Sequence, residues 1–267
     1  MRKKQLGTIL GALAVVGLVA AAAPSLTSVT GAAEAPATVT VVHGIPSVGN
    51  VDVCAGGSTA LLSDVPFGAV ATISVPAGTY DLTVKLANAT PCTGATAITL
   101  DGAVVPAGAN VSVVANLTGG TPNLAVYAND VSPVAAGSGR VAVYHAANAP
   151  TVDILVNGGP GISGLAQGQV ATADLPTAAY DFTVTPAGDP ATTVLDLPGV
   201  TVPAGKLLQV FAVGAVPDSN EQNPFQVITN LVDLPTATTP TTAAPTTTTM
   251  PAAGAAAATN TSPSFTG

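Results

Sequence analysis

Charged side chains are scarce in this sequence, and positive ones are the scarcest. Only 7% of the 267 residues are charged, against about 25% in an average soluble domain. Six Lys and Arg stand against fourteen Asp and Glu, so the chain has no basic patch to neutralise phosphates, which excludes nucleic acid as a partner. The shortage of charge also excludes a coiled coil, which needs charged residues beside its apolar seam.

Aromatic residues are few as well. The chain has no Trp, and aromatic residues make up 3% of it, which leaves little for the exposed aromatic platforms that commonly bind sugars. Gly and Pro are abundant instead, with 28 and 23 residues. Both residue types punctuate regular structure with turns, so this composition favours short strands over long helices.

The N-terminus has the three parts of a secretory signal peptide. Basic residues come first, an apolar run from Thr8 to Ala23 follows, and small residues then extend from Ser25 to Ala33. The apolar run is shorter than the ~20 residues of a membrane-spanning helix. We predict a signal peptide over residues 1–33, with cleavage after Ala32 or Ala33; an uncleaved membrane anchor is the alternative.

Cleavage would leave three cations and fourteen acids, a net charge near −11. No later segment is apolar enough to span a membrane. We therefore expect an exported bacterial protein, secreted or associated with the cell wall, with no stable membrane span after cleavage. Its partners are expected among cell-wall components or extracellular proteins.

The two cysteines fit this compartment. Cys54 and Cys92 are 38 residues apart, and an even pair in an oxidising space predicts a disulfide. A redox or metal-binding pair is the alternative, but the sequence has neither a C-x-x-C motif nor a nearby cluster of histidines.

The body of the chain is an internal repeat. The segment Val65–Val84 matches Leu165–Val184 at nine of twenty positions without a gap, and shorter blocks on both sides recur in the same order. The sequence thus predicts module 1 over residues 37–134 and module 2 over residues 139–235. The linker between them consists of small residues, which permit some hinge motion while holding the modules close together.

Each module shows the alternation of half-buried strands. In the clearest segment, Tyr80, Leu82, Val84 and Leu86 are expected to face the core. The predicted fold class is all-β, with two tandem antiparallel β-sandwiches of the immunoglobulin-like type, each with seven or eight strands.

A tyrosine follows a Pro-containing turn in each module. Tyr80 and Tyr180 stand four residues after Pro76 and Pro176. A Tyr at such a corner can donate a hydrogen bond back across it, as in the tyrosine corner of β-sandwiches. We interpret both residues as structural.

The two histidines occupy equivalent positions, and each precedes an aspartate. His43 is followed by Asp52, and His145 by Asp153. One interpretation is a His–Asp pair that binds a metal or acts as a base. The other, which we favour because the pair is duplicated with the fold and supplies too few zinc ligands, is a loop-orienting role at a strand end. We accordingly predict no catalytic residue, no metal site and no cofactor.

These blocks resemble a family of bacterial secreted repeats, the domain of unknown function 4397. The residues that carry the resemblance are His43, Pro46, Val51 and Asp52 in module 1, and His145, Ala146, Pro150, Val152 and Asp153 in module 2. The middle Asp of the family's opening string is absent; Ser47 stands there in module 1, and Asn148 is the nearest polar residue in module 2. The resemblance covers most of both modules. It implies an exported, envelope-associated protein without implying an activity.

Two further segments invite interpretation. Asp218, Asn220 and Glu221 provide oxygen atoms that could hold Ca²⁺, but the EF-hand spacing is absent and we favour a polar surface turn. Residues 236–267 are rich in Thr, Pro and Ala, a composition typical of a disordered stalk that carries O-linked sugars.

The sequence therefore favours a non-enzymatic exported protein with a structural, adhesive or ligand-binding role. Two alternatives stay open. One is an accessory module that binds a partner protein, through strand addition at a sheet edge. The other is an extracellular enzyme with a site around the His and Asp residues.

Overall fold

The computed structural model of the protein describes residues 34–46, 48–215 and 225–235. The predicted signal peptide, the stalk and the acidic segment with Asp218, Asn220 and Glu221 lie outside these residues. The described chain from Ala35 onward belongs to one compact unit. It is all β, and none of the described residues forms a helix that could cross a membrane.

Module 1 has eight strands. They are β1 (Ala37–His43), β2 (Val51–Ala55), β3 (Thr59–Val65), β4 (Val70–Val75), β5 (Gly78–Leu86), β6 (Thr96–Val105), β7 (Asn110–Thr118) and β8 (Thr121–Ala128). Strands β3-β2-β5-β6 form its outer sheet, and strands β4-β1-β7-β8 form its inner sheet. The neighbouring strands pair antiparallel except β1 and β7, which are parallel.

Module 2 repeats this topology strand for strand. Its strands are β9 (Ser138–His145), β10 (Val152–Val156), β11 (Gly159–Leu165), β12 (Val170–Pro176), β13 (Ala178–Pro186), β14 (Leu195–Val202), β15 (Lys206–Val213) and β16 (Gln226–Asp233). The outer sheet has the order β11-β10-β13-β14 and the inner sheet the order β12-β9-β15-β16, with β9 and β15 parallel. The predicted fold of two β-sandwich modules is confirmed.

Tight turns between strands account for several of the glycines. The turn from β2 to β3 has three residues, Gly56, Gly57 and Ser58, and its two glycines have φ of 56° and 76°. The turn from β10 to β11 has two, Asn157 and Gly158, with φ of 50° and 75°. Positive φ at both central residues is the geometry of a two-residue hairpin, whose twist matches that of the flanking strands.

The buried apolar residues form three layers. The first fills module 1 between its two sheets, and the third does the same in module 2. The second layer lies between the two inner sheets and contains Val42 and Val114 of module 1 with Tyr144, Phe211 and Val213 of module 2. The four sheets therefore stack into one body, and the inner sheets are covered on both faces.

This double covering explains the burial pattern of the inner strands. In β7 the seven residues from Val111 to Leu117 are all buried, and in β9 the same holds from Gly139 to His145. Strands covered on both faces have nearly continuous apolar runs, whereas strands covered on one face alternate. In β5, an outer strand, Leu82 and Val84 are buried as expected, but Leu86 at its end is exposed.

Candidate functional site

The two histidines lie at the ends of equivalent strands and face equivalent loops. The Nε2 atom of His43 lies 2.9 Å from the carbonyl oxygen of Gly49, and that of His145 lies 2.8 Å from the carbonyl oxygen of Pro150. Both rings are almost fully buried. Burial lowers the pKa of each histidine and outweighs the bond to the carbonyl, so both rings are neutral at pH 7.

The two aspartates bind backbone amides rather than histidines. The carboxylate of Asp52 accepts hydrogen bonds from the amides of Asp64 and Cys92, at 2.9 and 2.8 Å. The carboxylate of Asp153 accepts them from Gly164 and Gly188, at 2.7 and 2.8 Å. These backbone donors lower the pKa of Asp153.

All four donor residues have the left-handed backbone conformation. Their φ angles are 56° at Asp64, 61° at Cys92, 67° at Gly164 and 81° at Gly188. Non-Gly residues seldom adopt this conformation, so the carboxylate of Asp52 holds two strained positions in place. Each aspartate thereby fixes a bulge in β3 or β11 and the loop after β5 or β13.

The His–Asp pair considered from the sequence is therefore not formed in either module. The histidine of each module binds the loop that follows it, and the aspartate binds two other segments. Among residues 34–46, 48–215 and 225–235, no three His, Cys, Asp or Glu side chains come together in a group that could hold a metal ion.

Tyr80 and Tyr180 have the geometry expected of a tyrosine corner. The Tyr80 hydroxyl donates to the carbonyl oxygen of Pro76 at 2.7 Å, and the Tyr180 hydroxyl donates to that of Pro176 at 2.9 Å. Each bond spans the turn between two strands that belong to different sheets. The contribution of these bonds to stability stays a prediction.

The predicted disulfide is present. Cys54 in β2 is joined to Cys92 in the loop after β5, and no described cysteine is free. Because the amide of Cys92 also binds Asp52, the covalent and polar restraints act on the same loop. Module 2 has Leu155 and Gly188 at the corresponding places, so the cross-link is confined to module 1.

A polar network between the modules was not foreseen from the sequence. Gln209 of β15 is fully buried, and its side-chain amide donates to the hydroxyl of Ser112 in β7 at 2.9 Å and to that of Tyr144 at 3.1 Å. The Tyr144 hydroxyl donates to Asn129 at 2.6 Å, and Asn230 donates to the Gln209 carbonyl oxygen at 2.8 Å. Buried polar groups that satisfy one another fix a single relative position of the two inner sheets.

Backbone contacts extend this junction to the end of the sheets. The amide of Gly214 donates to the carbonyl oxygen of Gly44 at 3.2 Å. A Cβ atom on Gly44 would lie 2.9 Å from a methyl carbon of Val213. Gly44 is thus required by the close approach of the modules.

The linker between the modules is also held in place, by the hydrogen bonds of one arginine. Arg140 at the start of β9 is buried, and its guanidinium binds both carboxylate oxygens of Asp174, at 2.7 and 2.9 Å. The same group donates to the carbonyl oxygens of Asp130 and Ser132 just before the linker. Together with the shared core, these bonds oppose the hinge motion expected from the linker composition.

Module 2 contains an apolar cavity. It has a volume of about 100 Å³ and lies between the two sheets, whereas the corresponding cavity of module 1 measures about 30 Å³. Its wall includes Val194 just before β14, together with Leu197, Val200, Val227 and Thr229 of strands β14 and β16. Sequence patterns did not indicate it, because they show which residues face inward and not how completely those residues fill the interior.

Comparisons with known proteins give one family and distant solved structures. Crystal structures of a "putative cell adhesion protein" from Bacteroides uniformis and of another from Bacteroides eggerthii are each 12% identical to this chain. The first covers 74% of this chain and 98% of its own with a TM-score of 0.23; the second covers 76% and 96% with a TM-score of 0.17. No curated protein matches the chain.

The family match is confined to the first part of the body. Residues 37–155 match the family described as Domain of unknown function (DUF4397). This stretch contains all of module 1 and the first strands of module 2, so it accounts for one copy rather than two. Residues 37–155 of this chain are therefore similar to the DUF4397 family.

Proposed function

We propose that this chain is a non-enzymatic, exported protein in which two β-sandwiches form one rigid scaffold with an adhesive or ligand-binding role at the cell envelope. The observation that carries the proposal is the buried junction between the inner sheets, with its apolar layer and its Gln209 network. A junction of this kind suits a protein that presents surfaces at a fixed spacing.

The hydrogen bonds of the histidines and of their neighbouring aspartates support this role. His43, His145, Asp52 and Asp153 bind backbone groups of their own loops. A histidine that is buried and neutral, with one nitrogen bound to a carbonyl, is well suited to hold a loop. The geometry thus favours the structural interpretation over an extracellular enzyme.

Export is part of the proposal. A disulfide is typical of oxidising compartments, and the Cys54–Cys92 bond is consistent with one. Residues 1–33 would direct export, and residues 236–267 would act as a spacer that carries sugars. We also propose that module 2 is a second, diverged copy of the family domain, because its strand order repeats that of module 1.

Co-sedimentation with purified cell wall tests the role. The two proteins to compare are residues 34–267 and residues 34–235, with a soluble protein of similar acidity as the control for trapping. Pelleting of both forms would show that the modules bind, and the loops after His43 and His145 would be the first places to mutate. Pelleting of the longer form alone would make residues 236–267 the anchor. If neither form pellets above the control, attachment to the wall is wrong.

A further inference from the structure

The interior of module 2 is less completely filled than that of module 1 at the end where the strand-connecting loops lie. In module 1, Ile45, Leu117 and Leu124 belong to the buried core, and Val48 packs against it. The corresponding residues of module 2 are smaller. They are Ala147, Gly214, Val227 and Ala149. Loss of buried side-chain atoms leaves space when the surrounding backbone keeps its place, and the two modules have the same topology.

The cavity reaches the surface beside β14 and β16. In module 1 the equivalent edge strands β6 and β8 approach each other along the side of the sandwich more closely than β14 and β16 do. Val194, which lines the cavity, is 47% exposed. A ligand would therefore enter between the sheets at this edge.

The side chains that line the cavity favour a hydrocarbon ligand. Of the side chains that line the cavity, all are apolar except His145 and Thr229. Apolar cavities of this kind stay dry and bind small apolar molecules, because water inside them would lose its hydrogen bonds. A site about 100 Å³ in volume and open on one side has room for the end of a single hydrocarbon chain rather than for a ring system such as a sterol.

Charge near the opening selects against an anionic head group. Strands β14 and β16 carry no Lys or Arg; Asp196 of β14 is exposed, and Asp233 at the far end of β16 is paired with Lys206. The two cations of module 2 are already paired, Arg140 with Asp174 and Lys206 with Asp233. A carboxylate or phosphate held at this edge would find no cation free to bind it and would be repelled by the acidic surface.

We propose that module 2 binds the hydrocarbon chain of an uncharged amphiphile between its two sheets. The end of the chain occupies the cavity, and the neutral head group stays near the β14–β16 edge. The site is independent of attachment to the cell wall, since it depends only on the interior of module 2.

Three probes with one chain length test the proposal on residues 34–267. They are 1-octanol, octanoate and octylammonium, titrated at pH 7 with thermal unfolding and calorimetry as readouts. Saturable binding of 1-octanol that raises Tm is expected, with at least a tenfold weaker affinity for octanoate. No saturable effect of 1-octanol would overturn the site, and an affinity for octanoate or octylammonium that equals the affinity for 1-octanol would overturn the uncharged head group.

A filled variant locates the binding. Ala149→Leu with Val227→Leu adds carbon atoms to the cavity wall, and we expect it to lose 1-octanol binding at least tenfold. The matched control, Ala191→Leu with Val104→Leu, adds similar bulk at exposed positions and should bind like the parent. Circular dichroism and Tm establish that both variants fold. Undiminished binding by a folded filled variant would overturn the proposal, as would binding that appears only when residues 236–267 are removed, since the occupant would then be the chain itself.

Discussion

Module 1 and module 2 share one topology, yet they are stabilised differently. Module 1 has seventeen buried apolar residues between its sheets and a disulfide that joins β2 to the loop after β5. Module 2 has eight such residues, no cross-link among its described residues and a larger cavity. The same strand order thus accommodates a tightly filled sandwich and an open one, which indicates that the topology depends on the turns, the aspartates and the inner sheets more than on complete packing.

The largest expected effect comes from the disulfide. Replacement of both Cys54 and Cys92 by Ala should lower the free energy of unfolding by about 4 kcal/mol, because a loop closed over 38 residues restricts the unfolded chain. Chemical denaturation measures the change. Reduction of the parent protein should give the same loss; a loss well under 1 kcal/mol would show that module 1 does not depend on its cross-link.

The next effect comes from opening the core of module 1. Ile45→Ala should cost about 3 kcal/mol, within the range for buried aliphatic truncations, and should make module 1 resemble module 2. Val104→Ala, at a position 65% exposed, serves as the control and should change stability little. Equal effects of the two substitutions in denaturant titrations would contradict the view that the loop after β1 closes the core.

The reverse change in module 2 should be stabilising. Filling a cavity of about 100 Å³ with Ala149→Leu and Val227→Leu should add up to roughly 2 kcal/mol, less any strain from imperfect fit. Differential scanning calorimetry measures the gain in Tm. A marked decrease in Tm would mean that the interior is already filled.

Removal of the tyrosine hydroxyls tests a hydrogen bond that the two modules share. Tyr80→Phe and Tyr180→Phe should each cost about 1 kcal/mol, the net value of one hydrogen bond. Because the geometry is the same in both modules, equal losses are expected. No change in either variant beyond experimental error would exclude a stabilising role for the corner.

The smallest expected effect is a pH dependence. The pKa of His43 and of His145 lies below the ordinary value of 6.5 in the folded protein, so the unfolded chain takes up protons first as the pH falls. The stability due to the neutral rings is fully present above about pH 6.5 and is lost as the pH falls through the folded pKa values. Tm measured from pH 7 to pH 5 should decline, and His43→Asn with His145→Asn should flatten the decline. An unchanged slope in that variant would assign the effect to other groups.

Much of the fold was predictable from short-range patterns. The internal repeat in the sequence predicted two equivalent modules. The alternation of apolar and polar residues predicted strands such as β5, and the even number of cysteines predicted the disulfide. Strand β3 is not recognisable in this way, because its sequence, with Ser63 and Asp64 near its end, lacks the alternation of a half-buried strand. The parallel pairing of β1 with β7 was missed because a local pattern contains no information on distant partners.

The junction between the modules was not predicted for a related reason. Periodicity reports that a residue is apolar, and it does not report which surface will cover it. The nearly unbroken apolar runs of β7, β9 and β15 were a usable signal, since strands covered on one face alternate. Gln209 within such a run, beside Val210 and Phe211, was a second signal of a buried polar contact.

The parallel course of the inner strands places both ends of the described chain at one pole of the stack. The carbonyl of Ala35 binds the amide of Gly108 just before β7, and the amide of Leu234 binds the carbonyl of Gly205 just before β15. Gly44 and Gly214 meet at the opposite pole, where the loops after His43 and His145 also lie. The described chain thus enters and leaves the stack at the same pole. A domain of this kind can be inserted into a loop of another protein, or tethered from both ends, while the opposite pole faces outward.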